Sequence, residues 1–373
     1  MIATTAFHAR TAAANPLNAW VSRNGVALAA VYADRNDEAL AARTRVAIAD
    51  MGARWQLTLE GPRAIELLRQ LLTRDVSSLA PGAAIKALWL ADGGGVRGAA
   101  AVARYGNEAF WLLSASSDHA WIAAAATLFG VSVRDISAER CGLAVVGPYA
   151  RATLEAAGIQ ADLTPLGLRK ICWRGLDMIL SRFGEHGGYE VWSGAADALI
   201  VWDGIVQAGS GFGLVPVGAR AQDVLDVEGG IPRPFRDYIP AVDVAATEPS
   251  PWRLGLGSLI EPEHTCFNGR AQLMKTRQIE PARFMGLQIE SERAAPRIPV
   301  IVNGRAVGRT LSSCYSPALH QAIALAQIEG KFAKSGASVT LNLPLCLQSP
   351  EICTARATVV DLPFLRPPDA LPE

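Results

Sequence analysis

Ser181-Arg182-Phe183-Gly184-Glu185-His186-Gly187-Gly188-Tyr189-Glu190-Val191-Trp192 is the stretch around which the 373-residue chain is organised. Three glycines precede an aromatic–acid pair, and Tyr189 and Val191 alternate as a strand begins, so the backbone turns tightly and then aims two side chains. A carboxylate fixed at Glu190 can grip the donor edge of a flat heterocycle through two parallel hydrogen bonds. The same residues also fit a β-hairpin that leaves Glu190 exposed.

The rest of the chain gives that site a globular setting. Half of the residues are hydrophobic and 19% are charged, enough to build two or three cores and incompatible with a disordered chain. Lys plus Arg equals Asp plus Glu at 35 each, so no overall field recruits nucleic acid or an anionic membrane, and an anionic ligand has to be gripped locally. The six cysteines form no C-x-x-C pair and no set has zinc spacing, which suits reduced, mostly buried thiols and no metal. No basic head leads an apolar run and no span reaches membrane length, so the expectation is a soluble cytoplasmic protein.

Going outward from the central stretch, residues 37–48 carry apolar positions at helical intervals and run into Asp50-Met51-Gly52. Trp55 to Glu60 alternates as a strand, Gly61-Pro62 closes it, and residues 63–72 form a helix. Residues 85–90, 99–104 and 109–115 read as a β-meander around Asp92-Gly93-Gly94-Gly95, followed by an Ala-rich helix to Leu128. Cys141 to Val146 before Gly147-Pro148 repeats the strand, Gly-Pro, helix order, which suggests two similar α+β halves. A helix over 195–208, a Gly-rich connection, a Pro-rich loop over 231–251 and a run of short strands from Phe284 complete the chain. The last part reads as a small β-barrel.

Several ordered motifs carry a family likeness: Gly61-Pro62 leading to Leu71-Leu72-Thr73-Arg74-Asp75-Val76, Gly94-Gly95-Val96, Val146-Gly147-Pro148, Gly187-Gly188-Tyr189-Glu190, Val217-Gly218-Ala219-Arg220, Val227-Glu228-Gly229-Gly230, Phe267-Asn268-Gly269-Arg270, Ser312-Ser313-Cys314-Tyr315-Ser316-Pro317 and Leu362-Pro363-Phe364. In order and spacing the chain resembles the aminomethyltransferase family, that of the glycine-cleavage T-protein and its tetrahydrofolate-dependent demethylase relatives. The resemblance implies an α+β fold: a three-domain ring of two related lobes around a folate channel (residues 1–275) plus a C-terminal β-barrel (276–373). It implies tetrahydrofolate as carrier, with Tyr189, Glu190, Arg220 and Trp252 binding it. The pterin's N3–H and exocyclic NH2 form the two-donor edge that an ionised Glu190 can accept.

Departures from the family pattern bear on the chemistry. T-proteins carry two aspartates after the Gly-Gly-Val motif, whereas this chain reads Arg97-Gly98-Ala99-Ala100, which removes an acid–base group and the charge that would hold a cationic aminomethyl arm. Arg54 and Lys86 stand where the family often has Met and usually Tyr, Ala115 replaces an asparagine, and Asp226 replaces an arginine. Arg54, Lys86 and Arg97 facing the channel would favour a carboxylate-bearing substrate. Phe183 to Glu190 looks more like the folate-dependent demethylases than like the T-protein consensus.

The expectation is methyl transfer from a small O- or S-methyl donor to tetrahydrofolate. No catalytic residue is assigned; Lys86, Arg54, Arg97 and His186 are candidates to stabilise a leaving oxygen. Two other readings stay open at this point: a folate-independent lyase or hydratase on the same fold, and a folate-binding iron–sulfur assembly factor, suggested by His264-Thr265-Cys266-Phe267-Asn268-Gly269-Arg270. Oligomeric state is not legible.

Overall fold

The computed structural model describes residues 2–242, 249–276, 282–344 and 352–367. The middle of the Pro-rich loop and Cys346 lie outside the described residues. Two compact units emerge, one built from the chain up to Leu88 and Gly98–Asp223, the other from Trp89–Arg97 with Val224–Arg366.

The first unit carries two larger sheets with a shared plan. One runs Ala83–Leu90, Val96–Gly106, Ala109–Ser114, Trp55–Glu60, Ser132–Asp135 in spatial order. The other runs Leu168–Trp173, Leu176–Ser181, Tyr189–Gly194, Arg140–Val146, Val46–Asp50, Leu214–Pro216. In each, three hairpin-connected strands lie beside the strand that precedes the Gly-Pro turn. That turn leads into a helix, Ala64–Leu71 in one case and Ala150–Ala156 in the other. The short sequence echo is thus a repeated topology. A small three-stranded sheet of residues 3–4, 20–23 and 26–29 accompanies them.

One core lies under the second sheet and joins Ile48, Leu143, Val145, Tyr189 and Val191 to the helix Ala198–Gly209 through Val201, Trp202 and Ile205. A second core lies between the two sheets, where Ala84, Trp111 and Leu113 meet Ile179, Phe183 and Trp192. Strand alternation sorts the side chains: Tyr189 and Val191 enter the first core, Trp192 the second.

The helix expected to run to Ile48 ends at Thr44, and Val46–Asp50 is a strand. All five of its residues are buried because neighbouring strands flank it and both faces are covered. A strand buried on both faces shows no alternation, so its apolar run continued the helical pattern. The thiols also differ from expectation. Among the described cysteines only Cys141 is buried, whereas Cys172 and Cys353 are exposed on strands and Cys266 in an irregular segment.

In the second unit six strands close a barrel in the order Ala282–Ile289, Gln321–Glu329, Arg305–Ser316, Pro299–Val302, Ser338–Pro344, Ile352–Val360. Its interior is filled by Leu287, Ile289, Val300, Ala324, Ala326, Leu341 and Val359. Several of the ordered motifs meet here. Asn268 donates to the Leu90 carbonyl at 2.9 Å, and Ser316 donates to the buried Glu228 carboxylate at 2.6 Å. Asp226, 1% exposed, accepts from Arg233 Nε at 2.7 Å, so the position where T-proteins carry arginine holds a buried, paired carboxylate. No helix among the described residues is long and apolar enough to cross a membrane.

Candidate functional site

The glycine turn delivers Glu190 to a buried position. Gly188 has φ +71°, and a Cβ there would stand 2.2 Å from the Val145 carbonyl oxygen, so only glycine lets the turn lie against the neighbouring strand. Tyr189–Gly194 then pairs on one side with Arg140–Val146 and on the other with Leu176–Ser181. This is an inner strand rather than an exposed hairpin, and Glu190 is 2% exposed.

Glu190 Oε2 accepts from Ser181 Oγ at 2.8 Å, and Ser181 Oγ in turn accepts from Trp192 Nε1 at 3.1 Å. Burial pushes the Glu190 carboxyl above its usual range. The Ser181 hydrogen bond, the positive charges of Arg54 and Lys86, and Trp192 pull the other way. Arg54 and Lys86 therefore lie within electrostatic reach of Glu190. Arg54 sits just before the strand Trp55–Glu60, is partly buried, and pairs with Glu185 of the glycine turn at 3.3 Å. Lys86 lies two residues beyond the inter-sheet core residue Ala84 on the same strand, which turns its side chain toward the same face.

Tyr189 alternates away from Glu190; its ring belongs to the other core and its hydroxyl donates to the Ala161 carbonyl at 2.7 Å. Arg220 is exposed in the first turn of the helix Ala219–Glu228. Trp252 and Arg97 belong to the second unit. Trp252 is partly buried and packed against Gly257, where an added Cβ would meet the indole at 2.7 Å, and Arg97 donates to the Val242 carbonyl at 2.6 Å. His186 is partly buried in the glycine turn. Among the described residues no group of three or more His, Cys, Asp or Glu could hold a metal ion.

Sequence reading missed the hydrogen-bonding partners of Glu190. Trp192, two residues on, had to share its face by alternation. Ser181 becomes visible only through register, since it stands directly across from Glu190 on the adjacent strand. Chemically, the site is a buried carboxylate with a fixed oxygen, aromatic neighbours and two cations. It suits a ligand that offers two N–H donors and carries, or lies beside, an anion.

Comparison with known proteins agrees with this frame. Residues 7–257 match the model of the GCVT N-terminal domain, and residues 283–365 that of the glycine cleavage T-protein C-terminal barrel domain. The aminomethyltransferase of Moorella thermoacetica is 31% identical over 350 residues, covering 90% of this chain and 91% of that protein. The aminomethyltransferase of Frankia alni is 32% identical over 297 residues, covering 78% and 80%. The crystal structure of the glycine cleavage system aminomethyltransferase T from Bartonella henselae superposes with a TM-score of 0.86 at 20% identity, over 98% of this chain and 99% of that one, which shows a shared fold. The chain belongs to the aminomethyltransferase (glycine-cleavage T-protein) family.

Proposed function

We propose that this protein is a tetrahydrofolate-dependent demethylase whose donor is a small, carboxylate-bearing O- or S-methyl compound. Its family is one of folate-dependent one-carbon transfer enzymes, and the donor is the finer point. The observation that carries the reading is the charge around Glu190: Arg54 and Lys86 act on the buried carboxylate, while Gly98, Ala99 and Ala100 supply no acid where T-proteins have aspartates.

The residues present fit the carrier. An ionised, buried Glu190 held by Ser181 matches the two-donor pterin edge, and this pairing compensates the carboxylate for its burial. Arg220 and Trp252 are the other residues that the family likeness assigns to folate. When bound, tetrahydrofolate supplies N5 as the nucleophile that accepts the one-carbon unit.

The protein's own contribution is alignment and exclusion of water, for which proximity supplies on the order of 7–11 kcal/mol in favourable cases. Arg54 and Lys86 hold the donor's carboxylate and orient its methyl group. A sulfonium donor leaves as a neutral sulfide and needs no acid. The oxygen of an ether leaves with the bonding pair and needs a positive neighbour, a role that Lys86 can fill.

The test is incubation of the purified protein with tetrahydrofolate and a panel of methylated carboxylic acids, with the folate product read by mass. 5-Methyltetrahydrofolate is expected. 5,10-Methylenetetrahydrofolate would instead make the chain an aminomethyl transferase, and failure to bind tetrahydrofolate at all would overturn the proposal.

A further inference from the structure

We infer that Ser181 and Trp192 are positioning residues for the Glu190 carboxylate, and that Gly142 makes room for the indole that completes the chain. This rests on the reading of Glu190 as the acceptor of the pterin edge.

The direction of the first hydrogen bond follows from atom types alone. An indole Nε1–H can only donate, so at 3.1 Å Trp192 gives its proton to Ser181 Oγ. One of the hydroxyl's two lone pairs is thereby used, and with Glu190 ionised its single proton goes to Glu190 Oε2 at 2.8 Å. All three side chains are sealed: Ser181 is 0% exposed, Trp192 1% and Glu190 2%. Water therefore does not compete for these bonds, and each polarises the next.

The sheet builds this chain. Ser181 and Glu190 are direct cross-strand partners, and Trp192 stands on the same face two residues along. On the other flank Trp192 lies opposite Gly142, where a Cβ would come within 2.4 Å of the indole ring. Any larger residue at position 142 has to displace the indole from Ser181. Trp111 closes the remaining side with an edge-on contact, its ring centroid 5.1 Å from that of Trp192.

Two functions follow. Fixing one carboxylate oxygen leaves the acid no free rotation, so its acceptor edge meets the ligand in one orientation. Donation to the ionised form also opposes the rise in proton affinity that burial imposes. That donation favours the charge state that accepts two N–H donors.

The experiment is anaerobic titration of the full chain with tetrahydrofolate from acidic to neutral pH, with melting curves recorded for every variant. Ser181→Ala is expected to weaken binding by about 10- to 100-fold and to move its acid edge to higher pH, since the ionised carboxylate loses a donor. Trp192→Phe, which keeps an aromatic ring and removes only the N–H, should shift the acid edge the same way with a smaller loss. It carries the test should Ser181→Ala not fold. In the double variant Ser181→Ala/Glu190→Gln the two losses should not add. Unchanged binding and acid edge in Trp192→Phe and Ser181→Ala, or strictly additive losses, would overturn the inference while leaving the role of Glu190 standing. Wild-type binding by Glu190→Gln would instead overturn the reading on which it rests.

Discussion

Replacing Asp50 by Asn separates a structural carboxylate from the one proposed to hold the pterin. Asp50 ends the buried strand Val46–Asp50, is 8% exposed, and faces the core beneath the second sheet rather than the Glu190 side. Its Oδ2 accepts from Thr5 Oγ1 at 2.6 Å and its Oδ1 from the Gly52 backbone N–H at 2.8 Å. Burial outweighs both bonds and raises its pKa from 3.8 to about 6. The native state therefore binds the proton more tightly than the unfolded chain. Between those two values the folded protein holds more protons, so stability falls as pH rises, and the loss is complete above about pH 6. A shift of 6 − 3.8 = 2.2 units at 1.36 kcal/mol per unit gives about 3 kcal/mol. Asn cannot ionise. Its amide can keep an oxygen on Gly52 and turn its NH2 to Thr5, whose hydroxyl then accepts. Urea unfolding of both proteins, followed by tryptophan fluorescence from pH 4 to pH 7, should show Asp50→Asn gaining about 2.4 kcal/mol of that on the wild type, since the unfolded carboxyl is already mostly ionised at pH 4. A difference that stays flat, or that grows as pH falls, would refute the reasoning.

Gly188→Ala should destabilise the first unit by about 3 kcal/mol and lower its melting temperature by about 6–12 °C in calorimetry, because the added methyl meets a backbone oxygen in a left-handed turn. Ser316→Ala should cost about 1.5–3 kcal/mol by leaving the buried Glu228 carboxylate without that hydroxyl, as measured by urea unfolding of the intact chain. Lys86→Met should raise KM for the carboxylate-bearing donor by about tenfold or more with a smaller effect on kcat, and it should also raise the acid edge of tetrahydrofolate binding because one charge that favours ionised Glu190 is gone. An equal loss in kcat and kcat/KM would place Lys86 on the leaving group instead.

What could be read from the sequence depended on how many sides of an element are covered. Trp55–Glu60 alternates apolar and polar residues and was legible as a strand. Val46–Asp50, enclosed on both faces, was not. Glu190 shows the same limit at the level of one side chain. Alternation put it on a face, but whether that face meets solvent depends on the other sheet packed against it, whose Ala84, Trp111 and Leu113 lie far off in the chain. The cations at Arg54 and Lys86 were visible as unusual residue types, whereas Ser181, an ordinary serine at a strand end, acquires its role only through register.

The motifs that reveal the family are mostly not the residues that decide its chemistry here. Asn268 on Leu90 and Ser316 on Glu228 tie backbone and buried charge together within the barrel-bearing unit, and Gly188 fits a turn against Val145 in the other. Such contacts tolerate no change in shape, and they say nothing about what is bound. Substrate preference has to reside in side chains that can vary without breaking those contacts. The departures fall at such positions: Arg54, partly buried and paired with the Glu185 carboxylate, Lys86, and the small residues Gly98 to Ala100. Asp226 illustrates the opposite case, because its exchange from the arginine of T-proteins is absorbed by Arg233 into a buried pair. A change that is neutralised within the scaffold carries little information about the substrate. A change that leaves two cations near a buried carboxylate alters which donor can approach it, and the proposed demethylation rests on that difference.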